Sequence, residues 1–415
     1  MVKYKVYIKK LVIDMFERKQ YMKWLVDARD TEFIKVITGV RRSGKSMLLK
    51  MVEKMILDSG VTAEQVVFVN FESSSSDSLK TSENLKEYVQ GLGFSKDQKV
   101  YFLFDEIQEV SEWQVFVNSL RVDYDADIYL TGSNANLLSG ELATYLSGRY
   151  ITLNVYPLSF AEYLEFSGFD EKVGILDKEF LTYMQWGGFP MLPTLLNEEL
   201  KRAVLDGIID SILFKDVALR GEIRDKENLI RVVNFLLDII GNTISTKKIS
   251  DTLKGEGITI SAPSVDRFLG LLTDAMIFYR AQRYDIRGKS HLRTQAKYYV
   301  VDIGLRNQRL GKTYRDNVGS QLENIVYIEL KRRGYEVSVG KFDTKEIDFV
   351  ALKGGVVKYY QVAYQLPFEN TREEDNLINL PDNYKKTIIT ANRMDVGNIA
   401  GIDVIHIVDF LLSGR

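Results

Sequence analysis

The chain has no cysteine among its 415 residues. That excludes disulfides, a cysteine nucleophile and thiolate zinc sites together. Histidine is nearly as scarce. His291 and His406 are the two, too few for a histidine-rich metal site, so a metal here is expected to be oxygen-bound, with magnesium the natural candidate. No apolar run approaches the ~18 residues of a membrane-spanning helix, so no membrane partner is expected. The opening MVKYKVYIKK is basic but leads into Asp14 and Glu17. It does not read as a signal peptide, and the expected location is cytoplasmic. Neither sign of charge dominates: 55 Lys and Arg stand against 57 Asp and Glu, a net of −2. Any nucleic-acid contact therefore has to come from a local basic patch.

What is present is the make-up of an ordinary soluble protein, 45% hydrophobic and 27% charged. The length suggests two or three domains. Residues 11–28 carry an amphipathic helical pattern. From 33 to about 155, helical patterns alternate with the short apolar runs FIKVIT, VVFVNF, VYFLFD, DIYLTG and YITLNV. Short, β-branched and aromatic runs bounded by turn residues are the pattern of a buried parallel sheet with helical crossovers. The serine run Ser73 to Ser76 reads as a loop. Residues 156–228 read as helical, interrupted by Gly187, Gly188 and Pro190; 229–300 give three helix patterns and a strand pair; 318–415 give helix, three strands, helix and strand. The expected domains are thus 1–155, 156–228, 229–315 and 316–415.

Residues Gly39, Val40, Arg41, Arg42, Ser43, Gly44, Lys45 and Ser46 match G-x-x-x-x-G-K-[ST] at every fixed position, with a strand before them and a helix from Met47 after. Gly39 and Gly44 allow the backbone to wrap so that amides point inward at phosphates. The helix N-terminus adds partial positive charge. In such a loop Lys45 reaches the β and γ phosphates of ATP and the Ser46 hydroxyl ligates Mg²⁺. Further on, VYFLFDE ends in Asp105 and Glu106. An acidic pair at the C-terminal end of a buried strand faces the ligand crevice of an open α/β sheet. Asp105 is expected to hold magnesium and Glu106 to polarise the attacking water. The run Val66 to Phe71 lies between the two motif strands in sequence, leaving room for a strand inserted between them in the sheet, as in P-loop ATPases that use a catalytic glutamate.

IYLTGSN is another buried strand ending in small polar residues, and Ser133 or Asn134 stands where it would touch a γ-phosphate or the water. A plain turn after a strand explains the pair equally well. Arg149, in LSGRY, is placed to stabilise a transferring phosphoryl group, in cis or from a neighbouring subunit, in which case the chain self-associates. A solvated surface arginine is the bland alternative.

Together GVRRSGKS, FLFDEIQ with Trp113 shortly after, LTGSN, and LSGRY with NVYPLSFAEY resemble the AAA-type ATPases of bacteria and archaea, and more narrowly those related to the STAND branch. The resemblance implies an α/β fold: a P-loop NTPase parallel sheet, a helical lid, a winged-helix domain and a C-terminal α/β nuclease-like domain. It also favours Ser133 or Asn134 as the sensor and Arg149 as the finger. Gly188-Phe189-Pro190 resembles an adenine-contacting element of STAND proteins, but a helix terminator is the simpler reading.

Residues 229–300 fit a winged helix-turn-helix by pattern, with helices at Leu229 to Ile240, Thr246 to Leu253 and Pro263 to Leu272 and a wing from MIFYRAQRYDI and KYYVVD. Between Arg280 and Arg315 lie ten Lys and Arg against two acids, Asp285 and Asp302, with Tyr284, Tyr298, Tyr299 and Tyr314 interleaved. That is the footprint expected of DNA or RNA phosphate contacts. A lid or subunit contact is the alternative use of the same module.

Residues 320–364 resemble the PD-(D/E)xK nuclease fold. Glu323 on an amphipathic helix and Asp348 on a strand match its first two acids, but Gln361-Val362-Ala363 replaces E-x-K. Glu346, two residues from Asp348, shares its strand face, and Lys358 is a poor substitute for the missing lysine. A degenerate nuclease fold follows, with at most weak metal binding. The leading expectation is an ATP-driven switch or motor linked to nucleic acid. Its rivals are a signalling ATPase with a protein or small-molecule partner and an ATP-regulated nuclease.

Overall fold

The computed structural model describes residues 16–95, 97–135, 146–169, 173–366 and 372–413. The first five residues of the helical pattern expected at 11–28 lie outside them; the described helix is Lys19–Ala28. The chain divides into two compact units, Met1–Tyr156 and Pro157–Arg415.

The first unit is built on five strands: β1 (Ile34–Thr38), β2 (Val66–Asn70), β3 (Lys99–Asp105), β4 (Asp125–Gly132) and β5 (Tyr150–Asn154). They lie in the order β2-β3-β4-β1-β5 and every pairing is parallel. The apolar runs do not alternate with polar residues because both faces are covered. On β3, Val100, Phe102 and Phe104 face a core closed by Leu85, Val89, Phe116 and Leu120 from the Ser82–Gly91 and Trp113–Asp123 helices. Tyr101 and Leu103 face a second core closed by Tyr21 and Leu25 of the Lys19–Ala28 helix and by Leu48, Leu49, Val52 and Ile56 of the Lys45–Asp58 helix.

The strand inserted between the two motif strands is β4, not the Val66–Phe71 run. β2 stands at the edge, where Val66, Phe68 and Asn70 remain partly exposed. The run Asp127–Gly132 is buried throughout, as an interior position demands. An ion pair ties β4 to β1: Lys35 Nζ lies 2.5 Å from Asp127 Oδ1, both side chains fully buried.

The second unit opens with the helices Phe160–Ser167, Val173–Trp186 and Glu198–Ser211, the last continued by a π-helical stretch over Ile212–Leu219. The Lys226–Asp238, Thr246–Gly255 and Ala262–Asp274 helices follow. Each starts on a side-chain cap, with Asp225, Ser245 and Ser261 accepting from the amides of Asn228, Lys248 and Ser264. An antiparallel hairpin comes next, β6 (Phe278–Asp285) and β7 (Ser290–Val300). Beyond the Ile303–Leu310 and Val318–Arg332 helices run β8 (Glu336–Phe342), β9 (Lys345–Lys353) and β10 (Val356–Ala363). The Arg372–Ile378 helix, β11 (Lys385–Thr390), β12 (Gly397–Ile399), β13 (Ile402–His406) and the Ile407–Leu412 helix complete the unit.

One eight-stranded sheet, β12-β13-β11-β10-β9-β8-β6-β7, runs across the boundary expected near 315, because β6 pairs with β8 through Arg283↔Val339 to Asp285↔Lys341. The hairpin read as a wing is thereby the end of the C-terminal sheet. The Val173–Trp186 helix stops before Gly187, and the turn is fastened by the buried Asp302. Its carboxylate accepts from Gly188 N at 2.6 Å and from Gly304 N at 2.9 Å.

Candidate functional site

All the motif residues of the first unit except Arg149 gather at one edge of its sheet, where β1, β3 and β4 end. At Gly39, φ is 152° and a Cβ would lie 2.1 Å from the Val155 carbonyl oxygen, so no side chain fits there. Gly44, with φ 106°, turns the loop into the Lys45–Asp58 helix. Lys45 is buried; its ammonium donates to Gly39 O at 3.0 Å and Val40 O at 3.3 Å and lies 3.6 Å from Glu106 Oε1. Arg41 turns back to Glu72, 2.5 Å away, whereas Arg42 is exposed.

Ser46 Oγ donates to Asp105 Oδ1 at 3.1 Å, and Thr131 Oγ1 donates to the same oxygen at 2.5 Å. Thr131 Oγ1 in turn accepts from Glu106 N at 2.9 Å. Glu106 itself has φ 57°, a left-handed backbone that costs a non-glycine residue roughly 1–2 kcal/mol. The hydrogen bond to Thr131 helps hold it there. Gln108 Nε2 donates to Glu106 Oε2, and the Ser133 hydroxyl also hydrogen-bonds this carboxylate.

The adjacent carboxyls are driven apart. Burial pushes Asp105 up, against the hydrogen bonds from Thr131 and Ser46. Burial pushes Glu106 up as well, but the charge of Lys45, the Gln108 bond, Arg41 and the Ser133 bond together outweigh it and hold Glu106 below the usual carboxylate range. Glu106 is thus an ionised acceptor in a buried site, beside a less readily ionised neighbour. Asn134 is buried next to Ser133 at the end of β4.

Arg149 stands elsewhere. It precedes β5, which pairs in parallel with β1 from Ile34↔Tyr150 to Thr38↔Asn154. Arg149 therefore lies at the strand-start edge, about five residues of extended chain, roughly 16 Å, from the edge that carries the phosphate loop. It is exposed and donates to Asn118 Oδ1 at 3.3 Å. Within its own chain it does not reach Glu106.

Sequence reasoning missed three supports. Thr131 and Gln108 lie inside the quoted motifs, each two residues from a key position, Ser133 and Glu106, and that placement was the signal. Arg18 gave none. This buried guanidinium donates from Nη1 to Ser43 O at 3.0 Å and to Tyr156 O at 2.9 Å, bracing the loop from 25 residues upstream.

In the second unit the basic segment does not form one face. Lys297 and Arg306 are buried, Arg309 and Lys312 pair with Asp210 and Asp238, and Arg287 with Asp343. The acids read as nuclease-like do converge, but on an ammonium. Lys297 Nζ lies 2.9 Å from Glu323 Oε1, 2.9 Å from Glu346 Oε1 and 3.9 Å from Asp348 Oδ1. Burial alone would lower the Lys297 pKa; the three carboxylates overcome it and raise the value. Asp348 Oδ2 accepts from Val362 N at 2.8 Å and Gln361 Oε1 from Asp348 N at 3.2 Å. Among the described residues no group of three or more acids and histidines has metal-holding geometry, nor is any helix long and apolar enough to cross a membrane.

The sheet order, the glycine loop and the Ser46–Asp105 junction are those of an α/β P-loop fold. A family model described as an AAA domain matches residues 31–164, and one described as a domain of unknown function matches 177–316. A protein of Haemophilus influenzae described as uncharacterized is 47% identical over 399 residues, covering 96% of this chain and 99% of its own. An uncharacterized protein of Methanocaldococcus jannaschii is 31% identical over 435 residues, covering 99% of this chain and 95% of its own. The chain belongs to the family of these two proteins, and residues 31–164 are similar to an AAA domain. The Walker-type ATPase of Pyrococcus abyssi shares the fold, with a TM-score of 0.50 and 16% identity over 71% of this chain and 96% of that one.

Proposed function

We propose that the first unit binds Mg-ATP on the Gly39–Ser46 loop and hydrolyses it. The observation that carries this reading is the hydrogen-bonded junction of Ser46, Asp105 and Thr131 beside an ionised, buried Glu106. Ser46 Oγ and Asp105 Oδ1, 3.1 Å apart, are two adjacent oxygen donors of the kind magnesium takes. These two would hold the ion, which when bound neutralises charge on the β and γ phosphates. Lys45 exchanges its carbonyl partners for the same phosphates, and the amides of Val40, Arg41, Arg42, Ser43, Gly44 and Met47 line them. Glu106 polarises the attacking water, oriented through Gln108 and Ser133. Ser133 and Asn134 sense the γ-phosphate, and Arg149 serves the site of a neighbouring copy. Equilibrium binding of a fluorescent ATP analogue tests the loop: wild type binds it with Mg²⁺ and Lys45→Ala does not. Equal binding by both would contradict the reading.

A nucleic-acid link is the second part of the proposal, that of a nucleotide-driven switch or motor. What favours it is narrower than the ten cations of the segment. Arg280 and Lys289 make no ion pair among the described residues and, with Tyr284, line an open sheet face. The ATPase rate with and without DNA and RNA separates this from a signalling ATPase, which neither would stimulate.

A further inference from the structure

One face of the eight-stranded sheet is covered unevenly. Toward β11 and β13 the Arg372–Ile378 helix packs on it, Leu377 joining Val350, Tyr359, Ile388 and Val404 in a core. Over β6, β8 and the adjoining parts of β9 and β10 the face is an open cleft of about 320 Å³, at the small end of the roughly 300–1,000 Å³ of ligand clefts. Arg280, Gln282 and Tyr284 of β6 reach it at alternate positions, as side chains sharing one strand face do.

Three cations line the cleft: Arg280, Lys289 and Lys331. Among the described residues none of the three has a carboxylate within ion-pair distance or a side-chain hydrogen bond. Lys331 is half-buried, and burial holds its ammonium below the usual lysine range, against a weaker pull from Glu336. An unpaired cation in a half-buried cleft is a standing cost that an anionic ligand would relieve. Two acids share the lining, Glu336 and Asp382; among the described residues neither is within ion-pair distance of the three cations, Asp382 accepts from the Tyr359 hydroxyl at 2.8 Å, and the charged lining keeps a net of +1. Rings flank the cations in two pairs. Tyr284 lies edge-on to His291 with centroids 5.3 Å apart, and Tyr359 is tilted against Tyr384 at 6.1 Å.

Cations without partners beside aromatic rings, in a space of this size, suit a ligand with a flat ring at one end and phosphate at the other. We infer that the cleft binds a nucleoside phosphate, its base against the tyrosine rings and its phosphate among Arg280, Lys289 and Lys331. The inference deepens the nucleic-acid part of the proposed function and is independent of ATP hydrolysis.

The test uses the full chain carrying Lys45→Ala, which removes the phosphate loop as a competing nucleotide site. Fluorescence anisotropy of labelled hexathymidylate is measured at low and moderate salt, with unlabelled thymidine monophosphate and hexaglutamate as competitors. Hexathymidylate is expected to bind, about tenfold or more weakly after Lys331→Gln or Tyr284→Ala, with a salt slope shallower by about one for Lys331→Gln. Arg280→Gln is a second, surface substitution with the same expected direction and little bearing on folding. Competition by thymidine monophosphate assigns the cleft to a free nucleotide; its absence, with hexathymidylate bound, assigns it to a base within a strand. Three results would each overturn the inference: no binding at low salt, binding indifferent to all three substitutions, or hexaglutamate competing as well as the oligonucleotide. If cleft binding is seen but nucleic acid leaves the ATPase rate unchanged, the coupling fails and the site stands.

Discussion

The ammonium of Lys297, on β7, lies 2.9 Å from the carboxylate of Glu323, on the Val318–Arg332 helix. The pair joins the hairpin to the segment that follows it, and Tyr299 OH donates to the same carboxylate oxygen at 2.5 Å. Removing one partner of a buried pair leaves the other uncompensated, at about 3–5 kcal/mol. Lys297→Met should lower unfolding stability by that order in urea titration, and adding Glu323→Leu should recover part of the loss. Additive losses would contradict the coupling.

The same cluster predicts that the chain does not cut DNA. An ammonium stands where the three acids would have to gather a metal, and metal-assisted phosphodiester cleavage needs that metal. Supercoiled and branched DNA should stay intact with the purified protein in Mg²⁺ and in Mn²⁺. Cleavage that persists in Lys45→Ala and vanishes in Asp348→Ala would promote the ATP-regulated nuclease instead.

Stability should carry a pH step from Asp302. Burial pushes this carboxyl up to about 6, against hydrogen bonds from the amides of Gly188, Gly304 and Leu305 and the pull of Arg332. The folded chain therefore binds the proton more tightly than the unfolded one. The contribution is fully present below the ordinary aspartate value near pH 4 and is lost as pH rises through about 6, on the order of 3 kcal/mol in all. The stability of wild type minus that of Asp302→Asn should move in favour of wild type as pH falls from 7 to 5. A difference independent of pH would remove Asp302 as the source.

Arg149 predicts a shared site. Because it stands at the sheet edge opposite its own phosphate loop, Arg149→Ala should slow turnover by roughly 10³-fold or more, the scale of a lost arginine finger. Mixing it with Glu106→Gln should restore part of the activity, since some interfaces would then hold both intact groups. Normal turnover by Arg149→Ala alone would show that the residue has no part in hydrolysis.

What the sequence made legible was whatever is contiguous. The loop from Gly39 to Ser46 and the pair Asp105–Glu106 carry their chemistry in neighbouring residues, and the strands that deliver them are continuous apolar runs. Strand order was harder: β2 precedes β3 in the chain, yet β4 separates β1 from β3, and burial rather than sequence order decided which run went inside. Pairings between distant positions were not legible at all. Arg18 reaches Ser43 O, and Lys297 reaches Glu323 across the boundary expected near 315. The count of ten cations misled for the same reason, since a tally does not reveal that Arg306 donates to Leu237 O inside the fold or that Lys312 is tied to Asp238.

The most direct test is the steady-state turnover of Mg-ATP by wild type and by Glu106→Gln, with binding of a fluorescent ATP analogue measured on both. Glu106 is buried and held ionised beside Lys45, so its loss should remove water activation and spare the loop. Glu106→Gln should bind the analogue as wild type does and turn over about 10²–10⁴-fold more slowly. Equal turnover by the two proteins would contradict a hydrolytic role for Glu106, and no turnover by either would contradict the assignment of an ATPase.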